Sequence, residues 1–231
     1  MTVSSSAAAP DSRETVVLLH GVAMPSLVMA RVAGTLRRAG YRVVNVGYPS
    51  RTMPIREIAA KYLPEQLQRH GLERAGRVHF VTHSMGGLVL RLYLQEHRPE
   101  NLGRVVLLGP PNHGSAAADY AAKHWLFRRV AGVNLSALGT GVRSVAPTLP
   151  AADFDLGIIA GTKSFHGLFA RALHGVNDGA VTVESAKLGG MRDFLAVPHS
   201  HTLMLWRADV LAQVLAFLRD GRFTRAAQGN E

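Results

Sequence analysis

The chain has 231 residues, 47% apolar and 18% charged, which suits one domain with a full hydrophobic core and argues against disorder along its whole length. It contains no cysteine, so disulfides, a thiol nucleophile and thiolate-bound metals are excluded. The net charge of +10 comes from scattered arginines without a run of five basic residues, which speaks against a dedicated nucleic-acid surface and leaves attraction to an acidic interface or substrate open.

Residues 1–13 are rich in Ser and Ala and read as a flexible lead-in. They lack the basic start and long apolar core of a secretory signal. No stretch of about 18 apolar residues follows, so no membrane span is expected and a cytoplasmic location is the default. Six short apolar runs then appear, at Thr15–Leu19, Tyr41–Val46, Arg77–Val81, Arg104–Leu108, Asp155–Ala160 and Asp193–Val197. They are nearly continuous rather than alternating, as strands covered on both faces are. Helical patterns lie between them, at Leu27–Ala39, Pro54–Arg69 with a break expected at Pro64, Gly86–Glu96 and Ala208–Arg219. The alternation predicts a single α/β domain over residues 14–222, with a mostly parallel sheet of about six or more strands and helices on both faces. Residues 223–231 read as a tail. Segment 110–153 exceeds what a crossover needs and carries Trp125, Leu126, Phe127, Leu135, Leu138 and Leu149. It reads either as a small cap or lid over a site or as a plain crossover helix with a long surface loop.

Val81-Thr82-His83-Ser84-Met85-Gly86-Gly87 joins a strand to the apolar helix Gly86–Glu96. A serine on such a turn is exposed at the carboxyl edge of the sheet and sits at a helix N-terminus, where backbone N–H groups stabilise negative charge. Glycine two residues on gives the turn its freedom. This is the G-x-S-x-G elbow with Thr82 in place of the first glycine, and it makes Ser84 the candidate nucleophile. Acyl transfer needs two N–H donors for the developing oxyanion. Met85, directly after the serine, supplies one, and Val22, in the His20-Gly21-Val22 loop after the first strand, supplies the other.

A serine hydroxyl needs a histidine to take its proton and an acid to orient that histidine. On this architecture they follow the serine in the order acid, then histidine. Between the runs ending near Ala160 and starting near Asp193 the carboxylates are Asp178, in the turn Asn177-Asp178-Gly179, and Glu184; the turn favours Asp178. Beyond the last strand, His199 and His201 both stand where the base belongs, and the residue pattern does not separate them. His20, Gly21, His83 and Trp125 are assigned to the substrate pocket, with His113 a weaker candidate.

The motifs Leu19-His20-Gly21, Thr82-His83-Ser84-Met85-Gly86-Gly87, Leu108-Gly109-Pro110-Pro111-Asn112-His113-Gly114-Ser115, Asn177-Asp178-Gly179 and Ser200-His201-Thr202 together resemble the bacterial lipase/esterase families of the α/β-hydrolase fold, over residues 15 to about 220. The resemblance implies Ser84 as nucleophile, Asp178 as acid, His201 rather than His199 as base, and an oxyanion hole at Val22 and Met85. It implies hydrolysis of carboxylic esters of small acyl or lipid substrates, with no cofactor and no metal. Contact with a lipid interface would be peripheral. Amidase, thioesterase or acyltransferase chemistry on the same residues is the alternative, followed by a non-catalytic binding protein. The calcium site, large lid and signal peptide of many secreted members are not evident in this sequence.

Overall fold

Six strands form one sheet: β1 (Thr15–Leu19), β2 (Arg42–Val46), β3 (Val78–His83), β4 (Leu102–Leu108), β5 (Leu156–Gly161) and β6 (Asp193–Val197). All pair in parallel, in the order β2-β1-β3-β4-β5-β6. The computed structural model describes residues 13–164 and 172–225. Residues 1–12 of the expected lead-in and 226–231 of the expected tail lie outside the described residues.

Alternate residues of the buried strands feed two cores. Val17, Leu19, Phe80, Val105 and Leu107 point to one face and Val16, Leu18, Val81, Val106 and Leu108 to the other. The second face is covered by α1 (Ala30–Arg38) and α7 (Ala208–Asp220), whose Val32, Leu36, Val210, Val214 and Phe217 are buried. Phe223 packs its ring 5.1 Å from that of Phe217, so this core reaches beyond residue 222. The first face is covered by α4 (Met85–Glu96), in which every residue from Met85 to Leu94 is buried. That explains why the helix reads as apolar all round. Each fully buried leucine there contributes roughly 1.5–3 kcal/mol.

The helix expected over Pro54–Arg69 runs as α2 (Ile55–Glu57), a π-helical stretch Ile58–Tyr62 and α3 (Leu63–Arg69). The wide turn ends next to Pro64, which lacks the N–H of a regular helical ladder and whose ring needs room. The helix expected over Leu27–Ala39 begins instead with a 3-10 turn, Ser26–Met29. Among the described residues no helix is long and apolar enough to cross a membrane.

Segment 110–153 folds into α5 (Ala116–Ala122), α6 (Trp125–Ala131) and 3-10 turns at Gly132–Leu138 and Ala146–Thr148. Buried polar groups fasten it down. Asn134 donates to Ser50 O and Met53 O, each at 2.8 Å, and accepts from Ile55 N–H at 2.7 Å. Arg91 of α4 donates to Asn112 Oδ1 at 3.0 Å, Leu149 O at 3.2 Å and Pro150 O at 2.8 Å, and so holds both ends of the segment. Burial lowers the Arg91 pKa to about 10, and the guanidinium stays charged at neutral pH.

Candidate active site

The sheet order reverses between β1 and β3, and in open parallel sheets ligands bind in the crevice at the carboxyl ends of such strands. Ser84 stands there, between β3 and α4. Its φ of 52° and ψ of −121° place a non-glycine residue in a costly region of backbone space. Its N–H donates to Leu108 O and its carbonyl accepts from Gly87 N–H, both at 2.9 Å. The strain therefore sits on the serine itself. Gly86 answers a different need: a Cβ there would lie 2.6 Å from Leu19 O and 2.9 Å from His20 O. A glycine two residues after the serine lets α4 press against the end of β1, and the Met85 N–H opens that helix without an intrahelical acceptor.

The loop after β1 comes against the elbow. A Cβ on Gly21 would stand 3.3 Å from Ser84 Cβ and 3.0 Å from His83 Nδ1. Val22 follows at the cavity wall. Ala23, at a φ of 57°, donates its N–H to Ser50 Oγ at 3.1 Å. His20 was expected in the pocket, but it lies buried behind this loop, outside the cavity lining. Its Nδ1–H meets Gly21 O at 2.8 Å, its ring stacks on Tyr48 at 4.0 Å, and the Tyr48 hydroxyl donates to His20 O. Burial lowers the His20 pKa against the effect of the Gly21 bond, so the ring is a neutral prop for the loop. Tyr48 gives no local signal of this role in the sequence.

Asp178 sits in the turn after β5, its side chain buried. Oδ1 accepts from the N–H groups of Ala180 at 2.9 Å and Val181 at 2.7 Å. Oδ2 lies 2.7 Å from His201 Nδ1, and Asp178 O accepts from His201 N–H at 2.9 Å. Burial alone would raise the Asp178 pKa. The facing His201 and the hydrogen bonds from His201, Val181 and Ala180 outweigh it and hold the carboxyl below its ordinary value. Glu184 pairs with Lys187 at 2.7 Å on the surface, away from both histidines. His199 turns the other way, its Nε2 2.6 Å from Asp209 Oδ2. The structure thus brings Asp178 to His201 and leaves His199 outside the cavity.

Ser84 and His201 line one cavity of about 250 Å³ together with Gly21, Val22 and His83. No hydrogen bond joins Ser84 Oγ to His201; such contacts often tighten only around a bound substrate. Most of the rest of the wall is apolar and comes from segment 110–153, including Ala118, Phe127, Val130 and Leu138, and Met24, Ala180 and Val181 complete it. Trp125, expected in the pocket, is 69% exposed and outside its lining. Phe127, Val130 and Ala131 share one helix face at spacings of three and four, and Trp125 projects from another part of α6. That spacing was the available signal for Phe127. His113 is exposed and also outside the lining. A larger cavity of about 660 Å³, lined by Leu67, Tyr93 and Glu100, holds none of these serine, aspartate or histidine side chains. Among the described residues no group of three or more His, Asp or Glu side chains gathers to hold a metal ion.

A six-stranded parallel sheet wrapped by helices, with a strained serine at a strand-to-helix turn, defines an α/β hydrolase. The family model for the alpha/beta hydrolase fold matches residues 14–147, and the chain belongs to that family. Solved structures with the same fold include the mature lipase BlEst2 of Bacillus licheniformis, 24% identical over 91% of each chain with a TM-score of 0.62. A thermophilic esterase from Thermogutta terrifontis is 15% identical over 91% of each chain, TM-score 0.64. The carboxylesterase CesB of Bacillus subtilis is 18% identical over 92% of this chain and 86% of its own, TM-score 0.57. No curated protein sequence matches the chain.

Proposed function

We propose that this protein is a serine hydrolase of carboxylic esters, working through an acyl-enzyme on Ser84. The observation that carries the reading is the Asp178–His201 pair at 2.7 Å, whose histidine lines one cavity with a strained Ser84. With Nδ1–H given to Asp178, the lone pair of His201 Nε2 is free to take the Ser84 proton. Ser84 Oγ then attacks the ester carbonyl, and the oxyanion is received by the Val22 and Met85 N–H groups. His201 returns the proton to the leaving alcohol, and the acyl group stays on Ser84. Water, deprotonated by His201, attacks the acyl carbon and releases the acid, and the proton returns to Ser84. Asp178 fixes the tautomer and stabilises the imidazolium.

The apolar wall favours an acyl chain, and about 250 Å³ lies below the roughly 300–1,000 Å³ of drug-sized ligand sites. A short or medium acyl chain fits this volume best. The test is hydrolysis of p-nitrophenyl esters from acetate to palmitate, with Ser84→Ala as control. Turnover should peak at short or medium chains and fall by roughly 10⁴–10⁶-fold in the variant. Absent turnover with Ser84 still labelled by a fluorophosphonate would replace the ester by an amide, thioester or transfer reaction.

A further inference from the structure

His83 is the titratable group beside Ser84 that this cycle leaves unused. It is fully buried, at the end of β3 and directly before the elbow. Its Nε2 lies 2.9 Å from the carbonyl oxygen of His201. A carbonyl only accepts, so the hydrogen of this neutral ring is on Nε2. Nδ1 is left as a bare lone pair, buried and, among the described residues, without a hydrogen-bond partner. It is packed against Gly21, where a Cβ would come within 3.0 Å. The His83 and His201 rings face each other at 4.7 Å with an interplanar angle of 47°. One imidazole therefore touches the main chain and ring of His201, the loop that carries Val22, and the backbone leading into Ser84.

We infer that His83 is a positioning residue: its Nε2–H clamps the carbonyl of His201, and its ring sets the distance between that histidine and the Gly21 loop. Asp178 holds His201 by its N–H and its Nδ1, at 2.9 and 2.7 Å. His83 supplies the hold on the opposite side of the residue, at the carbonyl. Without it the peptide after His201 is free to turn and the imidazole to drift, and a misplacement of about 1 Å can cost roughly 100-fold in rate. Burial, followed by the nearby His201 charge, lowers the His83 pKa to about 3. The clamp therefore stays neutral and adds no repulsion when His201 takes up its proton. The inference rests on His201 acting as base in the proposed function, but the clamp has a readout of its own.

The experiment compares His83→Gln, His83→Asn and His83→Leu. Glutamine carries an N–H at the position of Nε2, asparagine places its amide only at the position of Nδ1, and leucine has neither. The direct readout is the downfield proton resonance of the His201 Nδ1–H bound to Asp178, which needs no substrate. It should persist in the wild type and in His83→Gln and broaden or vanish in His83→Asn and His83→Leu, each checked for folding by circular dichroism. In ester turnover, the Asn and Leu variants should lose roughly 10–100-fold in kcat with KM little changed, and Gln should restore most of it. A His201 resonance unaltered in His83→Asn or His83→Leu would overturn the clamp, whether or not the protein hydrolyses esters. Equal kcat losses in Gln and Leu would overturn it too. A wild type that keeps the resonance and its dependence on residue 83 but turns over no ester would leave the clamp standing and sink the ester reading alone.

Discussion

Asp178 grips His201 twice, its carboxylate taking the ring Nδ1–H at 2.7 Å and its carbonyl taking the backbone N–H at 2.9 Å. Orientation of the imidazole and position of its Cα are thereby set by one residue. Asp178→Asn keeps an oxygen for the Ala180 and Val181 N–H groups but turns an amide N–H toward His201, which favours the wrong tautomer. Turnover of a p-nitrophenyl ester should fall roughly 10³–10⁴-fold. Glu184→Gln, at a surface pair with Lys187, should leave it within about twofold. The reverse ranking would move the acid to Glu184.

The two histidines after β6 should behave in opposite ways. His201→Ala should abolish measurable turnover in the same assay. His199→Ala breaks a pair with the 56% exposed Asp209 and should cost at most about 1 kcal/mol of stability, with activity largely kept. An inactive His199→Ala enzyme that still melts like the wild type would exchange their roles.

Acyl preference should follow the alanine face of α5. Ala118 lines the cavity beside Leu138 and Phe127. Ala118→Leu fills space that a longer chain would occupy, so the optimum in the p-nitrophenyl series should move toward acetate while acetate turnover stays within a few-fold. An unchanged optimum would place the acyl chain elsewhere.

The buried His83 makes a pH signature in stability. Its folded-state pKa of about 3 lies below the ordinary value of 6.5, so as pH falls the unfolded chain takes the proton first. Stability is full above about pH 6.5 and drains as pH drops toward 3. Between pH 7 and 4.5 the loss should be about 2–3 kcal/mol larger in the wild type than in His83→Gln, measured by urea unfolding. Asp178, also held below its ordinary value, keeps its contribution above about pH 3.9 and loses it only in stronger acid. Equal losses in the two proteins would mean that His83 is not held neutral by burial.

The sheet and the elbow were legible because they follow from local chemistry. Strands buried on both faces read as continuous apolar runs, and the serine turn needs small neighbours at fixed offsets. Other features depend on contacts between distant segments. His199 and His201 are two residues apart in one turn, and Asp178, more than twenty residues earlier, singles out one of them through its carboxylate and its carbonyl. Trp125, in the apolar segment 110–153, was assigned to the pocket. On the short helix α6 it is phase that decides who faces the cavity, and Trp125 does not share the face of Phe127 and Val130. The role of Gly86 was misplaced for the same reason: its constraint comes from the carbonyls of Leu19 and His20, which no reading of the elbow alone contains.

Asn134 and Arg91 tie segment 110–153 to the loop after β2 and to α4 through side chains that are themselves buried. Each bond lost there leaves a buried partner unmatched, at about 1–3 kcal/mol. The wall beside Ser84 is thus made of the same material as the core. Widening the cavity by directed evolution will draw on the melting temperature, and variants with broader substrate range should be sought first in backgrounds already stabilised elsewhere.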